Sequence, residues 1–149
     1  MSMNRALTPQ VKIIEVAVAA VSAGTEVLTS AVDMQGFESC AFLFTDIATS
    51  NAGNHCKVKQ SGDSGGSPDT FDDLAGSKVT PSADGMSVTI EIFKPQKRYL
   101  KGSIIRSGAN TATGKVFAIL SNSHGENIDN NVTDVHATEV HVSPDEGTA

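Results

Sequence analysis

The chain has 149 residues, of which 39% are hydrophobic and 19% charged, and its formal net charge is −6. This length fits one domain with its own core and excludes larger enzyme folds, such as the (βα)8 barrel of about 250 residues. No apolar stretch approaches the roughly 18 residues that span a membrane, and residues 1–9 lack the apolar run of a signal peptide. We therefore expect a soluble protein that is made in the cytoplasm and does not bind membranes.

The negative charge is concentrated at the C-terminal end. Residues 1–121 contain 11 basic and 11 acidic side chains, whereas residues 122–149 contain six acidic side chains and no basic one. We interpret this as a neutral domain over residues 10–121, an N-terminal arm over residues 1–9 and an acidic, polar C-terminal arm over residues 122–149. The alternative is that the arm is only a solubilising tail. A neutral domain without a basic field does not favour nucleic-acid binding.

Apolar residues alternate with period two along most of the chain, which predicts β-strands. Seven or eight strands and no convincing amphipathic helix favour an all-β fold, a single-domain, jelly-roll-like β-sandwich of two packed sheets. In the third predicted strand both parities are apolar, so we expect it to be central and buried on both faces for part of its length. In chain order, the predicted strands cover residues 11–21, 27–34, 37–47, 55–60, 71–74, 86–93, 98–106 and 116–120.

Alternation returns near the C-terminus, after an Asn-rich polar stretch at residues 122–131. Thr138, Val140 and Val142 share one parity of this region. The pattern indicates an arm that adds a strand to a partner or to an edge of its own sheet.

The two cysteines, Cys40 and Cys56, both lie in predicted strands and do not form a CxxC motif. The spacing of the two cysteines therefore matches no metal-binding or redox motif. We expect two buried thiols, since free cysteine is often buried, and a disulfide between neighbouring strands is the alternative.

Residues 62–66, Gly-Asp-Ser-Gly-Gly, match the segment around the nucleophilic serine of chymotrypsin-like proteases. That chemistry also requires a histidine base, an orienting aspartate and an oxyanion hole. Only His55 precedes Ser64, by nine residues, and the chain is too short for the two barrels of that family. We interpret the pentapeptide as a flexible hairpin loop and assign no catalytic residue.

Acidic and histidine side chains do not form a recognised metal-binding spacing. The loop aspartates lack the offsets of a calcium loop, and His136 and His141 would lie on opposite faces of a strand. We therefore expect no metal and no cofactor. The residues considered are Asp63, Asp69, Asp72, Asp73, His124, His136 and His141.

A basic cluster lies near the connection between the sixth and seventh predicted strands. Four of the 11 basic residues fall within eight positions, with Tyr99 among them. We predict a contact site for an acidic partner, such as the acidic arm of a neighbouring copy. The alternative is a solvated hairpin whose lysines protect a sheet edge. The basic residues are Lys94, Lys97, Arg98 and Lys101.

Four short segments occur in a fixed order along the chain: residues 31–39 (AVDMQGFES), 57–66 (KVKQSGDSGG), 71–74 (FDDL) and 97–101 (KRYLK). In this order they resemble segments of the small head-decoration (cement) proteins and other minor virion proteins of tailed phages. The resemblance spans about residues 11–120 and does not extend to the acidic arm.

This resemblance implies a non-enzymatic virion protein that binds the exterior of the assembled head and stabilises capsomer junctions. Its partners would be the major capsid protein and other copies of itself, as a homodimer or homotrimer. We expect the N-terminal arm, with Arg5 and Leu7, the acidic arm and the basic cluster with Tyr99 to make the contacts. The alternative is a carbohydrate- or host-surface-binding module displayed on the virion or tail, which the absence of Trp does not favour.

Overall fold

The computed structural model describes residues 10–16, 18, 26–47, 53–83, 85–106 and 114–123. Within these ranges the chain forms nine β-strands and no helix, and every pair of strands is antiparallel. No helix capable of crossing a membrane is therefore found in them. The predicted all-β class is confirmed, whereas the N-terminal arm and residues 124–149 of the acidic arm lie outside the described residues.

The strands form two sheets. The first has the order β1-β9-β4-β7, and the second has the order β2-β8-β5-β6, with β3 also paired to β8. The strands are β1 (Lys12–Val16), β2 (Glu26–Leu28), β3 (Val32–Asp33), β4 (Phe37–Ile47), β5 (His55–Ser61), β6 (Asp72–Asp73), β7 (Met86–Phe93), β8 (Tyr99–Ile105) and β9 (Val116–Ser123).

The strand predicted over residues 27–34 is two short strands, β2 and β3. Leu28 is in register with Ser103 and Val32 with Leu100, so the edge chain has one residue more than β8 between these pairs. Thr29 is buried at this irregularity. Its hydroxyl accepts a hydrogen bond of 2.9 Å from the Gly102 amide of β8. An extra residue in one strand interrupts the ladder and bends it.

Both sheets contribute to one core. The inward side chains of β4, including Phe42 and Phe44, are fully buried, and so are Cys56 and Val58 of β5. These residues alternate with half-buried side chains, as period-two patterning predicts for a strand with one buried face. The buried cluster comprises Val16, Val27, Val32, Met34, Cys40, Phe42, Phe44, Ile47, Cys56, Val58, Val88, Ile90, Leu100, Ile104, Val116, Ala118 and Leu120.

The first sheet is also apolar on its outer face. Strand β4 is central, between β9 and β7, as predicted. Its Leu43 is in register with Phe117 of β9, and Ile119 of β9 is in register with Ile13 of β1. These four side chains are half-buried. An apolar outer face on an antiparallel sheet is typical of a surface that another element or molecule covers.

The two cysteines are both buried and free, one in each sheet. The alternative of a disulfide between them is therefore not found. Burial raises the pKa of each thiol to about 12, and the nearby Glu91 charge adds to this effect at Cys40.

We expect neither cysteine to react with iodoacetamide at pH 8 in the native protein, because the thiolate is the reactive form. Labelling should begin only where urea unfolds the chain, and mass spectrometry of the labelled protein will measure it. Complete labelling of Cys40 or Cys56 within minutes in native buffer would contradict the prediction.

Candidate docking surface

The loop that contains Ser64 is held in place by its own hydrogen bonds. The Asp63 carboxylate accepts a bond of 2.8 Å from the Gly66 amide, and the Ser64 amide donates to the Ser67 carbonyl at 2.7 Å. Gly65 and Gly66 have φ values of 66° and 89°, a backbone region that favours glycine. The segment is thus a hydrogen-bonded hairpin turn at the end of β5, closed by an antiparallel bridge between Asp63 and Pro68.

Arg98 joins this loop to the turn between β3 and β4. Its guanidinium donates to both carboxylate oxygens of Asp33, at 2.9 and 2.8 Å, and to Asp63 at 2.8 Å. A further bond of 2.7 Å reaches the Gln35 side chain. The hydrogen bond from Arg98, with a smaller coulombic contribution, holds the pKa of Asp33 below its usual range despite partial desolvation. We refer to Asp33, Gln35, Asp63 and Arg98 as the Arg98 cluster.

Tyr99 lies beneath the same loop. Its side chain is buried, its hydroxyl donates to the Gly66 carbonyl at 3.1 Å, and the Arg98 guanidinium lies 5.0 Å from its ring centroid. Tyr99 is therefore not at the surface where we expected it to contact a partner. Arg98 also bonds to three neighbours, so both residues hold the loop in place.

The Arg98 cluster unites the segments that carry the resemblance to decoration proteins. Asp33 belongs to residues 31–39, Asp63 to residues 57–66 and Arg98 to residues 97–101. The remaining segment, residues 71–74, joins through an ion pair of 3.4 Å between Asp72 and Lys97. Four segments separated in the sequence therefore form one corner of the fold.

We expect Asp33→Asn to weaken the dependence of stability on acid pH. Because the pKa of Asp33 is lower in the folded than in the unfolded chain, its contribution is complete above about pH 4 and is lost as pH falls through the folded pKa. Urea unfolding between pH 2 and 7 will measure this. Asp69→Asn, which removes a loop carboxylate with no ion pair among the described residues, is the matched control. Parallel profiles for wild type and Asp33→Asn would contradict the prediction.

Lys101 lies apart from the other cluster residues, on the outer face of the second sheet. It is in register with Lys59, and its ammonium group lies 4.5 Å from the Phe71 ring centroid. Lys59 in turn pairs with Glu26 and Asp73, at 3.2 and 3.6 Å. The basic residues predicted as one site are therefore divided between two places.

The connection between β7 and β8 is the most exposed part of the predicted basic cluster. Phe93 is 61% exposed, and the Lys94 ammonium group lies 5.4 Å from its ring centroid. Lys94 has φ of 51°, a region that non-glycine residues rarely adopt, and it forms no ion pair with any described residue. Among the described residues, Lys97 forms one ion pair, the 3.4 Å contact with Asp72. We refer to residues 93–97 as the β7–β8 tip.

Shallow grooves lie on both sides of this tip. One has a volume of about 510 Å³ and is lined by Met34, Gln35, Phe37, Glu38, Lys94, Pro95, Gln96, Lys97 and Arg98. The other has a volume of about 490 Å³ and is lined by residues 74–77, Val79 and residues 89–93. A strained lysine backbone marks functional surfaces, and an exposed aromatic ring between two grooves is typical of a surface that another molecule contacts.

Sequence reasoning placed Lys94, Lys97 and Arg98 together, and the structure brings them to one groove. It did not select Phe93. A signal was present, because this aromatic residue shares the parity of Ser87, Thr89 and Glu91 and so lies on the polar side of β7. Arg5, Leu7, His124, His136 and His141 lie outside the described residues.

Ser64 is distant from the histidine that precedes it. His55 begins β5 and its ring contacts the Gly53 carbonyl at 2.7 Å, whereas Ser64 lies beyond the other end of this strand. His55 and Ser61 are the first and last of the seven residues of β5, six steps apart along the strand, or about 20 Å. The described residues also contain no group of three or more His, Cys, Asp or Glu side chains that could hold a metal ion.

Comparison of the chain with protein-family models, with curated proteins and with solved structures finds no match.

Proposed function

We propose that this protein is a virion structural protein that binds the exterior of an assembled tailed-phage head and stabilises the junctions between capsomers. The observation that carries a docking role is the exposed Phe93 beside the strained Lys94 at the β7–β8 tip. The choice of the major capsid protein as partner rests on the resemblance of the four segments. Their meeting at the Arg98 cluster, next to the tip, supports treating them as one functional unit.

We also propose that the two sheets form a jelly-roll β-sandwich. Successive strands pass from one sheet to the other except between β2 and β3 and between β5 and β6, giving the orders β1-β9-β4-β7 and β2-β8-β5-β6. Such orders arise when Greek keys wrap into a jelly roll, an architecture of viral capsid and lectin domains. The fold class is compatible with both capsid binding and carbohydrate binding, so the two functions have to be distinguished by what the docking surface binds.

Binding would rely on many weak contacts. On a shell with repeated sites, a small apolar contact at each tip suffices when copies are linked, because the second contact becomes intramolecular. The apolar outer face of the first sheet, with Ile13, Leu43, Phe117 and Ile119, would supply the contact within a homodimer or homotrimer. The N-terminal arm, with Arg5 and Leu7, would extend from this assembly to a neighbouring capsomer.

Co-sedimentation of the purified full chain with shells assembled from the major capsid protein of the phage that encodes it tests this function. We expect wild type to sediment with shells. Phe93→Ser should lose at least tenfold in affinity, because it removes an aromatic side chain that would become buried in the complex. Met86→Ser is the matched control, since Met86 is 42% exposed at the other end of β7. Equal sedimentation of Phe93→Ser, or glycan binding by wild type without shell binding, would contradict the proposal.

Deletion of residues 1–9 should abolish shell binding and leave the fold intact. The reason is that this arm lies outside the domain assigned to residues 10–121 and carries both a cation, Arg5, and an apolar group, Leu7. Circular dichroism and urea unfolding will verify the fold, and sedimentation will measure binding. Full shell occupancy by the truncated protein would show that the arm is not a contact.

A further inference from the structure

We propose that residues 132–143 of this chain add as an antiparallel strand to the outer edge of β7 in the same molecule. In the described part of the chain, β7 pairs only with β4. The Lys94 amide donates to the Glu38 carbonyl at 2.7 Å, which fixes the alternation of the ladder. The backbone groups of Thr89, Glu91 and Phe93 therefore point away from β4, towards the open edge.

The groove of about 490 Å³ runs along this edge. Its walls carry the half-buried side chains of Leu74 and Ile92 and the exposed side chain of Val79, which is 38% exposed. Phe93 has the opposite parity to Ile92, so its ring lies on the outer face of β7. An eight-residue edge strand beside exposed apolar side chains is a site for strand addition, and proteins usually protect such edges. The features of the edge therefore specify an extended segment with apolar residues on one face.

The chain leaves the described structure at the correct end of the sheet for residues 132–143 to reach it. Ser123, the last residue of β9, is in register with Phe37, and Ser39 is in register with Phe93. Two strand spacings, about 10 Å, separate Ser123 from the Phe93 end of β7. Eight residues, 124–131, can extend up to about 26 Å, which is enough to pass this end. A segment entering there and continuing along β7 runs antiparallel to it.

The composition of residues 132–143 fits this edge. Thr138, Val140 and Val142 share a parity that can face the groove, and β-branched residues favour strands. Asp134 and His136 have the same parity but lie nearer the end at which the segment enters, so residues 138–142 are the apolar part that the groove would hold.

Addition within one molecule is favoured over addition to a second copy. A segment attached by a short linker has an effective concentration in the millimolar range, above that of a neighbouring molecule in dilute solution. This inference does not depend on capsid binding. It assigns the acidic arm a role in protecting the edge, and the β7–β8 tip stays available to a partner.

Hydrogen exchange of the full chain, resolved by amide in NMR spectra, tests the inference. We expect the outward amides of Thr89, Glu91 and Phe93 to be protected in wild type. In a double variant, Val140→Asp with Val142→Asp, they should exchange at least tenfold faster, because two charges cannot occupy an apolar groove. The inward amides of Ile90 and Ile92, bonded to β4, should keep their wild-type rates.

The matched control is the double variant Thr148→Asp with Ala149→Asp, which adds the same charge outside the segment and should leave exchange unchanged. Rapid exchange of the outward amides in wild type, or equal rates in wild type and the valine variant, would overturn the inference. Light scattering will separate the two modes of addition. A monomer with protected edge amides supports addition within one molecule, whereas protection that appears only with dimer formation overturns it.

Discussion

Gly102→Val is expected to lower the free energy of unfolding by about 3 kcal/mol. Gly102 lies in β8 of the second sheet, and a Cβ atom there would be 3.0 Å from two ring carbons of Phe44, in β4 of the first sheet. The same atom would be 3.1 Å from the Thr29 side chain. Valine adds two further methyl groups at the place where the two sheets approach each other, so the sheets must separate or Phe44 must leave its rotamer.

Gly62→Ala is the matched control for this substitution. A Cβ atom at Gly62 would meet nothing within 4 Å, and its φ is not positive. Alanine should therefore be neutral or stabilise the fold slightly, since it restricts the unfolded chain. Urea unfolding followed by circular dichroism will measure both variants. A midpoint for Gly102→Val within error of wild type would show that the sheets are not closely packed at Phe44.

Lys94→Gly is expected to change stability and binding in opposite directions. Lys94 has φ of 51°, which costs a side-chain-bearing residue about 1 kcal/mol that glycine does not lose. Glycine keeps the amide that donates to the Glu38 carbonyl, so the β7–β8 connection should retain its shape. We therefore expect stability to rise by about 1 kcal/mol. Affinity for capsid shells should fall at least tenfold, because the Lys94 ammonium group, which forms no ion pair with any described residue, is lost from the contact.

Asp46→Gly separates the backbone effect from the contact effect. Asp46 has φ of 52° at the irregularity near the end of β4, and it is exposed. Its neighbour Ile47 is in register with Met86, at the opposite end of β7 from Phe93. Asp46→Gly should raise stability in the same way and leave shell binding unchanged. If Lys94→Gly binds shells as well as Asp46→Gly does, Lys94 is not a contact residue.

Local sequence pattern was sufficient to predict most of the strands and the faces they bury. The alternation in residues 55–60 and 86–93 assigned Cys56, Val58, Val88 and Ile90 to the inside, and all four are buried. It failed where a single extra residue interrupts a strand. Nothing in residues 27–34 reveals that Thr29 bonds to Gly102, because that contact depends on a strand more than 70 residues later.

The candidate site could be predicted only in part. Lys94 and Lys97 were selected because basic residues cluster in the sequence, and they do line one groove. Tyr99, from the same cluster, is buried, because the loop that contains Gly66 lies over its side chain. The sequence does not reveal that this loop folds back onto the start of β8. The strained backbone of Lys94 has no sequence signal at all, because lysine occurs in every kind of turn.

The sequence by itself determined that the chain is all-β, which residues face the core in the strands where apolar and polar residues alternate, and that the net negative charge lies at the C-terminal end. These properties are local, because a side chain's face follows from its parity in a strand. Only the tertiary structure decided that Asp33, Asp63 and Arg98 meet, and that the edge of β7 and Phe93 lie at the surface. Such contacts join residues separated by 35 to 65 positions, and they exist only once the order of strands in each sheet is set.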